Sequence, residues 1–258
     1  MTNAIRSGSA VIAAAALLLL STGAEAVATY RSQLYWGAEP YGPYDQDVTT
    51  TTGGSYSLSG TGYSMTTSGL PLNNGTAEAR FSSDIGAVSV FTQIQYTASI
   101  AGPVGVSVPV RVIAYGLAEG EGFDPCCGTE QYSAAAQFTM DTQQASLIAA
   151  SAIVSTGFLT ESFNVDQVIY IMSNTPLDIR LSAGAGTYSS YTHTSTITGH
   201  AFVDPQFIID PAYASQFSFV GLPTAVPEPA SGVLLALGAG VMAFIRRARP
   251  AQRGSTQR

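Results

Sequence analysis

The feature that most restricts this chain is a period-two alternation of apolar side chains through its middle. Val88, Val90, Ile94, Tyr96 and Ala98 occupy alternate positions around Thr92, and Val106, Val108, Val110, Val112 and Ala114 repeat the pattern. Side chains point to opposite faces along a strand, so each stretch turns one apolar face inward and one polar face out. The same reading predicts strands at Tyr30 to Tyr35, Ser55 to Leu58, Thr76 to Phe81, Gln131 to Met140, Ser146 to Val154, Ser162 to Val165, Gln167 to Met172, Leu177 to Ala183, Thr192 to Phe202 and Gln216 to Val220. Turn signals separate them, among them Asn73-Asn74-Gly75, Gly102-Pro103 and Gly184-Ala185-Gly186. Pro109 predicts an edge or a bulge, and Ala134 to Ala136 and Ser146 to Ser155 read as either strand or helix. Composition decides for β. Residues 27 to 226 hold 23 Ser, 23 Thr and all 13 Tyr, and the chain has no lysine. The expected fold is all-β, a single antiparallel β-sandwich of jelly-roll-like order over residues 27–223.

Charge separates this body from its ends. Between residues 27 and 226 there are four arginines against 15 acids, a net of −11, although the whole chain is only −7. A surface so poor in cations cannot neutralise a phosphate backbone, so nucleic acid is not an expected partner. At the start, Arg6 precedes ten unbroken apolar residues, Val11 to Leu20, and then Ala24-Glu25-Ala26. That is the order of a secretory signal peptide over residues 1–26, read by signal peptidase and the secretion machinery. As a helix those ten residues rise only about 15 Å, against about 30 Å of hydrocarbon. At the other end residues 230–245 form an apolar run of about 24 Å, read as a transmembrane helix, followed by Arg246, Arg247 and Arg249. An arginine cluster after an apolar run stays cytoplasmic, which leaves residues 250–258 as an inner tail and places the body outside.

Val226-Pro227-Glu228-Pro229-Ala230-Ser231, the apolar run and the arginines together resemble the PEP-CTERM protein-sorting signal of Gram-negative bacteria over residues 224–249. Some domain collections label this segment the C-terminal domain of ice-binding proteins. The resemblance implies export, an inner-membrane anchored intermediate, cleavage by an exosortase near Pro227, Glu228 and Pro229, and a final place at the cell surface or outside the cell. It implies an organism that makes exopolysaccharide. The tail continues nine residues past Arg249, where many examples stop sooner. Asp204-Pro205-Gln206-Phe207-Ile208-Ile209-Asp210-Pro211 looks like the ending that closes a β-rich domain before this signal in many such proteins, and it brings no activity with it.

Within the body, Tyr35, Trp36, Tyr41 and Tyr44 cluster beside Glu39 and Asp45. Exposed rings next to carboxylates stack on sugars, so these four are the candidate glycan contacts. The competing reading is that Trp36 and some tyrosines plug one end of the core. Cys126 and Cys127 are the whole cysteine inventory, and an exported chain meets oxidising conditions. A vicinal disulfide, an intermolecular link or free thiols, and a redox site all remain open; adjacent cysteines lack zinc-site spacing. Glu119, Glu121 and Asp124 make the same loop acidic and are the weak calcium candidates, no other cofactor being expected. Asp-Pro pairs at Asp204 and Asp210 read as turn-shaping. Thr192, Thr194, Thr196 and Thr198 share one parity.

His193 and His200 are the only histidines, and no hydrolase or phosphate-loop motif is present. The expectation is a non-enzymatic exported matrix or surface protein associated with exopolysaccharide. The alternatives are a carboxylate-based glycan-active enzyme and an ice- or surface-adhesive protein.

Overall fold

The computed structural model describes residues 27–37, 45–71, 74–85, 87–122, 132–155, 157, 159–187 and 192–223. They belong to one compact unit; residues 225–258, and residues 1–26 with the expected signal peptide, lie outside the described residues. Thirteen strands are described: β1 Thr29–Gly37, β2 Gln46–Thr50, β3 Gly54–Gly60, β4 Tyr63–Leu70, β5 Thr76–Ile85, β6 Ala87–Ala101, β7 Ser107–Glu121, β8 Tyr132–Thr142, β9 Ser146–Ser155, β10 Leu159–Met172, β11 Leu177–Thr187, β12 Thr192–Ile209 and β13 Ser218–Val220. All pair antiparallel.

A seven-stranded sheet runs β2-β1-β6-β11-β8-β9 with β13 beside β6, and a six-stranded sheet runs β10-β7-β12-β5-β4-β3. From β5 to β12 the chain alternates between the sheets except at the β8–β9 hairpin, which stays within the seven-stranded sheet, so the strict alternation expected of a jelly roll is broken there. The apolar parities meet between them. Val88, Val90, Ile94, Leu181 and Phe138 come from one sheet, and Val108, Val110, Val112, Ala79 and Val203 from the other; all are buried. An aromatic column crosses the gap: Phe138 to Phe207 at 6.3 Å between ring centroids and Phe207 to Phe219 at 6.0 Å. Burial pushes the Tyr30 hydroxyl up to about 12. It also holds Tyr96 well above the usual phenol value, helped by Tyr30, and the Tyr96 hydroxyl donates to the Asn74 carbonyl at 2.6 Å.

Several expectations are corrected. The two alanine- and serine-rich stretches that could have been helical are β8 and β9, whose alternate residues Ala134, Ala136, Ile148 and Ala152 face the core. Ser162 to Val165 and Gln167 to Met172 are one strand, since β10 pairs without interruption along β7. Pro109 marks no edge: β7 lies between β10 and β12, and the proline sits where β12 has just ended at the Ile209–Val110 rung. Asp204-Pro205 is inside β12 rather than in a turn. Asp210 does open a turn, accepting from Ala212 N at 2.8 Å.

Candidate functional site

The clearest convergence of polar chemistry is on the outer face of the six-stranded sheet. His200 of β12 stands directly across from Glu119 of β7 on one side and Arg80 of β5 on the other. All three point outward because their neighbours Ala201, Ala118, Ala79 and Phe81 are drawn into the core. His200 Nδ1 lies 2.8 Å from Glu119 Oε1, and Nε2 lies 3.0 Å from Glu78 Oε1. Arg80 Nε donates to that same Glu78 oxygen at 2.6 Å. A carboxylate only accepts, and a neutral imidazole has a single N–H. Both ring contacts are therefore hydrogen bonds together only when the trio holds one proton more than a neutral imidazole between two carboxylates. The trio ties β5, β7 and β12 together.

The His200 side chain is 15% exposed, whereas Glu119 is 45% and Arg80 61% exposed. The groove above them, about 460 Å³, thus presents carboxylate oxygens and a guanidinium rather than the imidazole. Glu121, Thr160 and Thr198 complete its polar lining and Leu159 adds an apolar wall. Such a surface accepts hydrogens from hydroxyl groups, and neither ring nitrogen is left to take a proton from a bound molecule.

Two glycines hold this geometry. Gly120 separates Glu119 from Glu121, and the Tyr132 ring crosses from the opposite sheet onto it, its hydroxyl donating to Gly120 O at 3.0 Å. A Cβ at Gly120 would overlap that ring, and one at Gly199, beside His200, would overlap Phe81. The core aromatic fills the place of the missing side chain on the inside, while the glutamates and the histidine stay outside.

Further along the same face Asp204 accepts from Thr76 Oγ1 at 3.3 Å, and burial raises its pKa above 3.8 despite that bond. An acid with a raised folded pKa makes the folded state less stable as pH climbs through the window above the unfolded value, and the cost persists beyond it. Asp204→Asn is therefore expected to stabilise the protein near pH 7, with the gain absent near pH 3. Denaturant midpoints at the two pH values check this; equal differences at both would contradict it. Asp166 and Asp47 have the opposite sign. Hydrogen bonds from Arg111 and Arg31 hold their carboxyls below the usual value, so that support is present above the unfolded pKa and lost on acidification.

Tyr35 and Trp36 lie on β1, not on a loop. Tyr35 is 5% exposed, which withdraws it from glycan contact. Trp36 is 38% exposed, but its ring stacks on Tyr63 at 5.0 Å and 11°, closing one end of the sandwich between the two sheets. Tyr41 and Tyr44 lie outside the described residues, as do Cys126, Cys127 and Asp124. Glu119 and Glu121 belong to β7 rather than to an acidic loop, and Glu119 is engaged by His200. Among the described residues no group of three His, Cys, Asp or Glu is arranged to hold a metal ion. The register of β12 against β5 shifts between Thr192 and Ile197, so the alternate threonines do not share one regular ladder. Among the described residues no helix is long and apolar enough to cross a membrane; the run at residues 230–245 lies outside them, with Pro227, Glu228, Pro229, Arg246, Arg247 and Arg249.

The sequence reading did not find Glu78 and Arg80. Their parity beside Ala77, Ala79 and Phe81 marks them as outward, but nothing local says that β5 lies beside β12, with 122 residues separating Glu78 from His200.

The fold is thus a two-sheet antiparallel β-sandwich with a polar groove on one outer face. Residues 225–249 match the PEP-CTERM protein-sorting motif, a segment whose presence supports export to the cell envelope by the exosortase route. No curated protein matches the chain. Among solved structures, the enzymatically active domain of bacteriophage CBA120 tailspike protein 4 is similar at 10% identity over 69% of this chain and 19% of the tailspike, with a TM-score of 0.21. This chain therefore spans about a fifth of that protein. The infectious bursal disease virus Gt strain structure is similar at 11% identity over 88% of this chain and 70% of the other, with a TM-score of 0.18. Likeness at these scores carries no argument about function.

Proposed function

We propose that this is a non-enzymatic envelope protein whose β-sandwich associates with exopolysaccharide after export. Residues 1–26 serve as its signal peptide, and residues 230–245 hold it in the inner membrane until exosortase cleaves near Pro227-Glu228-Pro229. The mature body then resides at the cell surface or in the matrix. The observation that carries the binding role is the outward groove around His200, whose carboxylates and hydroxyls match a ligand made of hydroxyl groups. A glycosidase needs one carboxyl to protonate the leaving oxygen and a second to act at the sugar carbon or on water. Glu78 and Glu119 are instead both drawn onto one imidazole, which favours binding over hydrolysis.

The test is co-sedimentation of the full chain, collected after export, with the host's own exopolysaccharide, with and without calcium. Retention is expected, weakened when Glu119 and Glu121 are both changed to Gln. Absence of retention under both conditions overturns the binding role, and release of reducing sugar would replace it with the carboxylate enzyme.

A further inference from the structure

The opposite outer face, on the seven-stranded sheet, carries a second feature that the His200 groove does not involve. Two adjacent rows of side chains cross it at right angles to the strands. One runs Gln33, Phe91, Gly184, Ala135 through the pairings of β1, β6, β11 and β8. The next runs Arg31, Gln93, Ser182, Gln137 through the same four strands. The middle of the first row has almost no side chain, so the surface sinks there into a trough of about 520 Å³, deepened by Gly186 on the neighbouring row. Three strand spacings make it about 14 Å across.

The chemistry of the trough is specific. Phe91 is half-buried, and its ring leans over β11, reaching within 3.3 Å of where a Cβ on Gly184 would stand. A larger residue at Gly184 would lift the ring; glycine lets it lie down beside the channel. Gln93, Gln137 and Ser182 stand along the trough; Ser182 Oγ donates to Gln137 Oε1 at 3.3 Å, which fixes that pair with the Gln137 amide N–H groups as donors and the serine oxygen as an acceptor toward a ligand. At one end Gln33, only 6% exposed, donates to Asp47 Oδ2 at 3.1 Å. Arg31 grips the same carboxylate through Nε at 3.2 Å and Nη2 at 3.0 Å. The one cation in the lining is thereby neutralised, and Arg180 lies a row further along the strands, paired in register with Gln95.

We infer that this trough is a binding site for a neutral, extended polysaccharide strand, with Phe91 as the stacking surface and Gln93, Gln137 and Ser182 as the hydroxyl-reading groups. A flat ring beside paired donors and acceptors suits a sugar, which has an apolar ring face and a hydroxyl rim. The neutralised lining within a body of net charge −11 disfavours a uronic acid polymer by simple repulsion. The inference rests on the exopolysaccharide reading and adds to it a second site and a ligand class.

Affinity electrophoresis of the exported full chain through gels containing hydroxyethylcellulose, galactomannan or polygalacturonate tests it, alongside the host-exopolysaccharide sedimentation. Retardation is expected by at least one of the two neutral polymers. Phe91→Ala should weaken it by about tenfold or more, as loss of a buried aromatic anchor does. The paired change Gln93→Ala with Gln137→Ala, which leaves Phe91 in place, should weaken it severalfold, and Ser57→Ala on the other sheet should not change it. Circular dichroism of each variant separates lost binding from lost fold. Should the chain sediment with host polysaccharide while both trough variants stay at full strength, the trough is not the site although the general reading stands. Retardation by polygalacturonate alone overturns the neutral ligand class. No binding to any polymer, host material included, overturns the reading beneath it.

Discussion

Changing Pro227, Glu228 and Pro229 together to alanine is expected to abolish release of the protein, leaving the full chain in the membrane fraction. The physical basis is the division of labour in residues 225–249, where the PEP-CTERM motif lies. Proline fixes its own φ and disfavours helix at the residue before it, so Pro227-Glu228-Pro229 is a chemically distinctive linear signal. Three alanines would remove the recognised side chains and the proline constraint together. The apolar run and Arg246, Arg247 and Arg249 are untouched, so anchoring and orientation should survive. Immunoblots of membrane, periplasmic and culture fractions read the result. Mature protein should fall from the dominant species to near nothing, and unchanged release would contradict exosortase processing at this motif.

The second large effect lies in the core. Phe138→Ala is expected to cost about 3–5 kcal/mol, because the ring is fully buried and the space it leaves lies between two sheets that cannot close over it. Phe138 is the first ring of the column through Phe207 to Phe219, and so part of what holds β12 of the six-stranded sheet against β8 and β13 of the seven-stranded sheet. Whole domains are stable by only about 5–15 kcal/mol, so this one truncation should lower the melting temperature by on the order of 10 °C. Phe138→Leu, which keeps much of the volume, should cost less than half as much. Equilibrium denaturation measures both. A loss under about 1 kcal/mol for the alanine variant would mean that the column carries little of the packing between the sheets.

The site and the trough were legible to different degrees. Outward parity at His200, Gln93 and Gln137 is legible from alternation within their expected strands, whereas Glu119 reads locally as part of an acidic loop and only the extension of β7 to Glu121 gives it a face. Their company is not legible locally. His200 meets Glu119 across 81 residues and Glu78 across 122, and Phe91 meets Gly184 through a pairing of β6 with β11 that no local signal announces. Of the two readings of the aromatic cluster near Trp36, the stack on Tyr63 fits the one in which Trp36 plugs an end of the core. Which reading holds could not be settled locally, because Tyr63 comes from a strand in the other sheet.

By itself the sequence determined the β class, the inward face of most strands and the sorting address, because each depends on interactions short in sequence. Alternation is set by the geometry of one strand, and a sorting signal is read as a linear segment. Only the tertiary structure decided which strands lie side by side and in what register. A shift of one residue sends every side chain to the other face, so the choice is made by packing of the whole core rather than by any one strand. That choice brings Arg80, Glu119 and His200 onto one groove and sinks the glycine-floored trough beside Phe91 on the opposite face.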